Sequence, residues 1–88
     1  MDIWNIGNIK EERKMYYNEE KDISNIIREQ TENKTIKNLL ETQRYTVYAY
    51  HNKFWIYYSS WDYLTERIEN MFIKAVKKIY PDAIYICE

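Results

Sequence analysis

The clearest pattern along the chain is a two-residue alternation near its middle. Residues 44–50 (RYTVYAY) and 53–58 (KFWIYY) are dense in β-branched and aromatic residues, the types that favour strands. His51 and Asn52 separate the two runs. Asparagine tolerates positive φ, so this pair can close a two-residue hairpin loop. Such a loop sets the register: Tyr50 faces Lys53, Tyr48 faces Trp55 and Thr46 faces Tyr57. Tyr45, Val47 and Ala49 then share the opposite face with Phe54, Ile56 and Tyr58. Val47, Ala49, Phe54 and Ile56 carry no polar tip, so theirs is the predicted core face. Thr46, Tyr48, Tyr50, Lys53, Trp55 and Tyr57 all carry a hydrogen-bonding group. Side chains of that kind can lay an apolar body on a partner and keep a wet edge.

The alternation then gives way to a helical period. Trp61, Leu64, Ile68, Met71, Phe72, Ala75 and Ile79 recur at three- and four-residue steps and predict a helix over residues 60–79. Ser59 or Ser60 is the expected N-cap, and Ser59 with Asp62 has capping-box spacing. Asp62, Glu66 and Glu69 come early and Lys74, Lys77 and Lys78 late, an order that complements the helix dipole. Pro81 disfavours helical geometry at Tyr80 and ends the helix. Residues 83–87 (AIYIC) read as a last strand.

Residues 1–43 are less regular. Residues 2–6 (DIWNI) read as a short strand ending at Gly7, and Asn8 as the cap of a helix running to about Gln30. Its inner face would be Ile9, Tyr16, Ile23 and Ile27, interrupted by Arg13 and Glu20, with a break near Asn18. Asn33 or Thr35 opens another helical run with Ile36, Leu39 and Leu40. The expected fold is therefore α+β: a small antiparallel sheet of three or four strands with helices on one face. With the first strand included, the element order is the ferredoxin-like β-α-β-β-α-β with an extra helix in the first connection.

Length and composition set the scale. At 88 residues the chain is read as one domain, and it can bury only about 60–65% of its unfolded surface, so the core is thin. Hydrophobic residues make up 45% of it, enough to fold. The net charge of −1 supplies no global attraction to nucleic acid or to an anionic membrane. A single cysteine, Cys87, excludes an internal disulfide. No signal-peptide pattern opens the sequence and no run reaches the ~18 apolar residues of a membrane span. The expectation is a cytoplasmic protein without membrane association. Ile, Asn, Lys and Tyr, whose codons are AT-rich, dominate the composition. Small reading frames of that style occur in phages, viruses and plasmids as well as in low-GC bacteria.

No catalytic constellation emerges. His51, the one histidine, falls in the hairpin turn with no carboxylate or thiol beside it and reads as an exposed turn residue. Cys87 has no nameable base and reads as a core or edge residue. One histidine and one cysteine do not make a zinc site, and one glycine, Gly7, does not make a phosphate loop. No cofactor is implied. Glu11, Glu12, Glu19, Glu20 and Asp22, interleaved with Lys10, Arg13, Lys14 and Lys21, read as a solvated helix face.

The aromatic hairpin face is the exception. Two segments, Trp4 to Ile9 and Lys53 to Tyr58, resemble the paired strand segments of an RNA-recognition motif, which implies bases stacked on a sheet. The first has Asn5 where that family stacks an aromatic, and the second lacks its glycines, so the chain is not assigned to the family. Three readings of the face follow. It can be core, covered by the N-terminal segment or by a second subunit. It can bind a protein, since Tyr and Trp are enriched at hot spots. It can stack RNA or single-stranded DNA on Tyr48, Trp55 and Tyr57, in which case Trp55→Ala costs about 1–3 kcal/mol of binding. Cations are scarce there, with Lys53 on the face and Arg44 near it, and this favours protein over nucleic acid. The expected function is a non-enzymatic interaction protein that occludes a larger host protein, with homodimerisation a natural accompaniment. A phage- or virus-encoded, anti-CRISPR-like inhibitor acting in the host cytoplasm is its concrete form, by analogy of size and style.

Overall fold

A computed structural model of the protein describes residues 15–59 and 62–87. The expected strand at residues 2–6 and the side chains of Ile9 and Trp61 lie outside the described residues. The elements are β1 (Tyr17–Asp22), α1 (Ser24–Gln30), α2 (Lys34–Glu41), β2 (Tyr45–His51), β3 (Lys53–Tyr58), α3 (Glu66–Ile79) and β4 (Ile84–Tyr85).

The hairpin has the expected register. Tyr50 pairs with Lys53, Tyr48 with Trp55 and Thr46 with Tyr57. Val47, Ala49, Phe54 and Ile56 are buried, and they form one core with Ile23 and Ile27 before and within α1, Ile36 and Leu40 of α2, and Phe72 and Val76 of α3. The helices therefore cover the face of Val47, Ala49, Phe54 and Ile56. Val76, outside the apolar stripe read from the sequence, is fully buried. In the loop the positive φ falls on His51, at 56°, and not on Asn52, so the first loop residue carries the left-handed conformation.

The N-terminal half differs from expectation. Residues 17–22 are not helical; they form an edge strand antiparallel to β2, with Tyr17 opposite His51, Lys21 opposite Ala49, Asp22 opposite Tyr48 and an irregularity between. Glu19, Glu20 and Asp22 are exposed on this strand rather than on a helix. Ile23 and Ile27 are both buried, whereas Tyr16 is exposed. The chain turns into α1 without breaking its link to the sheet. The Ile23 amide donates to the Val47 carbonyl at 2.9 Å. The Val47 amide donates to Ser24 Oγ at 2.9 Å. The Asn33 side chain caps α2, accepting from the Thr35 and Ile36 amides.

The sheet order is β1-β2-β3-β4, and β3 and β4 are parallel. The sheet is mixed, and the antiparallel ferredoxin-like arrangement is not the one seen. A parallel pair needs a crossover, which α3 supplies. The last strand is shorter than read, two residues instead of five, and the single cysteine past its end is exposed.

α3 also starts later than expected. Ser59 Oγ donates to Asp62 Oδ2 at 2.9 Å and the Asp62 amide to the Ser59 carbonyl at 3.1 Å, so the capping-box residues close a turn of their own. The helix is capped instead by Thr65, whose hydroxyl oxygen accepts from the Ile68 amide. Glu66 and Glu69 occupy its first turn and Lys77 and Lys78 its last, as the dipole favours.

Gln43 provides a first prediction. It follows α2 with φ 64° and donates its amide to the Leu40 carbonyl at 3.1 Å, a helix-end position at which glycine avoids the Cβ penalty. Gln43→Gly is expected to stabilise the fold by about 0.5–1 kcal/mol, read as a higher urea midpoint. A lower midpoint contradicts the left-handed geometry.

Candidate binding face

Alternation in β2 and β3 puts Thr46, Tyr48, Tyr50, Lys53, Trp55 and Tyr57 on the side of the sheet away from the helices. The register brings all six together. Tyr57 is 60% and Tyr50 42% exposed, Lys53 is exposed, and Thr46, Tyr48 and Trp55 are half-buried. Of the neighbouring positions of opposite parity, Tyr45, Val47, Ala49, Phe54 and Ile56 are buried and Tyr58 is 39% exposed. The flanking strands add Asp22, opposite Tyr48, and the exposed Ile84, opposite Lys53. Asp22 was not legible as a member because its segment reads as helix. Ile84 follows from alternation in the last strand once its pairing is known.

The aromatic rings organise one another. Tyr48 and Trp55 stack with centroids 6.2 Å apart, and Tyr57 meets Tyr48 edge-on at 6.3 Å. These geometries match the attraction between the quadrupoles of aromatic rings. His51 is not the free turn residue the sequence suggests. Its ring lies 4.1 Å from that of Tyr50 and 5.1 Å from that of Tyr16, stacked on both. This three-ring stack extends the aromatic surface around the hairpin end toward β1.

Charge on the face is nearly balanced. Lys53 supplies one cation and Asp22 one carboxylate. Arg44, the cation nearest the hairpin, is committed elsewhere: it grips Asp62 through Nε, at 2.9 Å, and through Nη2. The adjacent Tyr45 hydroxyl donates to the Tyr63 carbonyl at 2.6 Å. Together these contacts tie the start of β2 to the loop before α3.

The Arg44 guanidinium, and after it the Ser59 hydroxyl, hold the Asp62 carboxyl below the usual carboxylate range. A carboxyl lowered in the folded state contributes stability above its unfolded value, and this is lost as pH falls through the folded value. Asp62→Asn is therefore expected to lower stability near neutral pH and to flatten its decline on acidification. Urea midpoints on both sides of the carboxylate range check this; equal declines in the two proteins would contradict it.

Among the described residues no group of three or more His, Cys, Asp or Glu side chains could hold a metal ion. No helix among them is long and apolar enough to cross a membrane. No protein family, curated protein or solved structure matches the chain.

Proposed function

We propose that this protein is a non-enzymatic binding protein that covers part of a larger protein with the open face of its sheet. The observation that carries the proposal is the tyrosine- and tryptophan-rich surface opposite the helices, with Tyr50 and Tyr57 exposed at its two levels. Rigid aromatic rings bury a large area on docking with few torsions to immobilise, which makes them hot-spot residues. Their polar tips satisfy a partner's backbone groups. Inhibition of a host defence system is one form of this activity, and its support is the chain's size and composition.

Stacking of single-stranded nucleic acid is the second reading, favoured by the ring geometry alone. It is weakened by the electrostatics. Backbone-tracking grooves are positively charged, whereas this face offers Lys53 against Asp22 and Arg44 is neutralised by Asp62.

Chemical crosslinking and capture with the wild-type chain and a Tyr57→Ser variant decide between them. A protein retained by the wild type and lost with the variant supports the proposal. Salt-sensitive quenching of Trp55 fluorescence by a mixed-sequence oligonucleotide moves the assignment to nucleic acid. A concentration-dependent dimer that Tyr57→Ser dissolves assigns the face to a second copy.

A further inference from the structure

A cleft of about 560 Å³ opens at the far end of the sheet, on the helix side, where β4 stops short of the end of β3. Its volume lies within the range of ligand pockets, roughly 300–1,000 Å³. Tyr58, Leu64, Glu69, Tyr85 and Cys87 line it, and Tyr57 forms its rim toward the open face. Three observations define its chemistry. Among the described residues that line it, Glu69 carries the one carboxylate and none is basic. Glu69 Oε2 accepts from the Tyr85 hydroxyl at 2.6 Å, which leaves Oε1 uncommitted, and Glu69 has no basic partner among the described residues. Tyr58 and Tyr85 line the same cleft, with Tyr57 at its rim, and aromatic faces attract cations.

A half-buried carboxylate without a counter-charge is costly unless something compensates it. The phenol's hydrogen bond, with a long one from the Cys87 thiol to the same oxygen at 3.9 Å, compensates part of the charge. Burial, and after it the bond to Glu69, push the Tyr85 phenol up, so it stays a donor and adds no second negative charge. Two other cavities differ from this one in the charges that line them. The groove between α1, α2 and β2 mixes Asp22 and Glu41 with Arg28, and the shallow depression on β1 mixes Glu19 and Glu20 with Lys21. In each of those two, acidic and basic residues line the same cavity.

The geometry points to a binding site for an organic cation, a guanidinium or ammonium group, paired with Glu69 and packed against the rings of Tyr58 and Tyr85. This inference stands apart from the proposed role of the open face. A planar guanidinium suits the site best, because it can donate to Oε1 while stacking on tyrosine.

Amide resonances of the intact protein, titrated with n-butylguanidinium and with the neutral isostere n-butylurea, test it. Saturable shifts at Tyr58, Glu69 and Tyr85 with the cation, and none with the urea, are expected. Glu69→Gln should weaken binding about tenfold, the scale of a lost charge-assisted bond. Tyr85→Phe keeps the carboxylate and leaves its second oxygen with only the long Cys87 contact, so affinity should hold or rise. Saturable binding of acetyl-arginine methylamide as well assigns the cation to an arginine of a protein partner; binding of n-butylguanidinium alone assigns it to a free small molecule. Equal shifts with n-butylurea, no shifts at all, or undiminished affinity in a folded Glu69→Gln protein would overturn the inference.

Discussion

Phe54→Ala is expected to remove about 3–5 kcal/mol of stability, the usual cost of deleting a buried phenylalanine. Phe54 is fully buried, faces Ala49 across the hairpin and packs its ring 5.3 Å from that of Tyr85. Ala49 is too small to fill the space left behind. Rigid strands on both sides limit collapse, so the transfer and cavity costs both apply. A domain of this length has about 4–13 kcal/mol in total, at 0.05–0.15 kcal/mol per residue. The variant therefore loses a large share of its stability. Urea unfolding followed by circular dichroism reads this as a lower midpoint with an unchanged slope. The comparison with Trp55→Ala, one residue on, sharpens the test. Trp55 is half-buried on the open face, and its loss should cost about 1 kcal/mol, the value of a cross-strand aromatic pair. A one-residue slip exchanges the two faces of a strand, so a reversed ranking would refute the assignment of faces and the candidate surface with it.

The two faces were legible in the sequence because two independent constraints agree there. A two-residue loop admits one register, and only one of the resulting faces has a run, Val47, Ala49, Phe54 and Ile56, without polar tips. Tyr45 to Tyr58 consequently folds as read, down to the individual pairs. β1 was illegible for the opposite reason. Its sequence, YNEEKD, is polar on both faces, and only Tyr17 is even half-buried. An edge strand of this kind presents charge to discourage edge-to-edge pairing, and in sequence that charge imitates a solvated helix. The start of α3 misled because Ser59 and Asp62 have capping spacing, yet Arg44, 18 positions before Asp62, draws that carboxylate into a turn. The stack of Tyr16, His51 and Tyr50 depends on the pairing of β1 with β2, which no local pattern announces. The Glu69 cleft is likewise invisible in sequence, since β3, α3 and β4 bring its lining together. Local signals were thus reliable where short-range constraints closed on themselves. They failed where a distant residue decided the outcome.

Tyr57→Ala is expected to separate binding from folding. Tyr57 is the most exposed ring of β2 and β3, and its one aromatic contact is edge-on to Tyr48. Its loss should change stability by no more than about 1 kcal/mol. In a docked complex the same ring would be desolvated at the end of the face away from the turn, beside Thr46 and the half-buried pair of Tyr48 and Trp55. Truncating a tyrosine hot spot costs about 2 kcal/mol or more, roughly a 30-fold loss of affinity. The loss should appear mainly as faster dissociation, because the variant removes no charge that steers encounter. Lys53→Ala is the complementary variant. It should slow association and reduce its dependence on salt, with a smaller effect on dissociation. Surface-plasmon kinetics with the captured partner reads both. If Tyr57→Ala left dissociation unchanged while Lys53→Ala abolished binding, charge rather than aromatic burial would drive recognition. The face would then act as an electrostatic contact, and the hot-spot argument would fail.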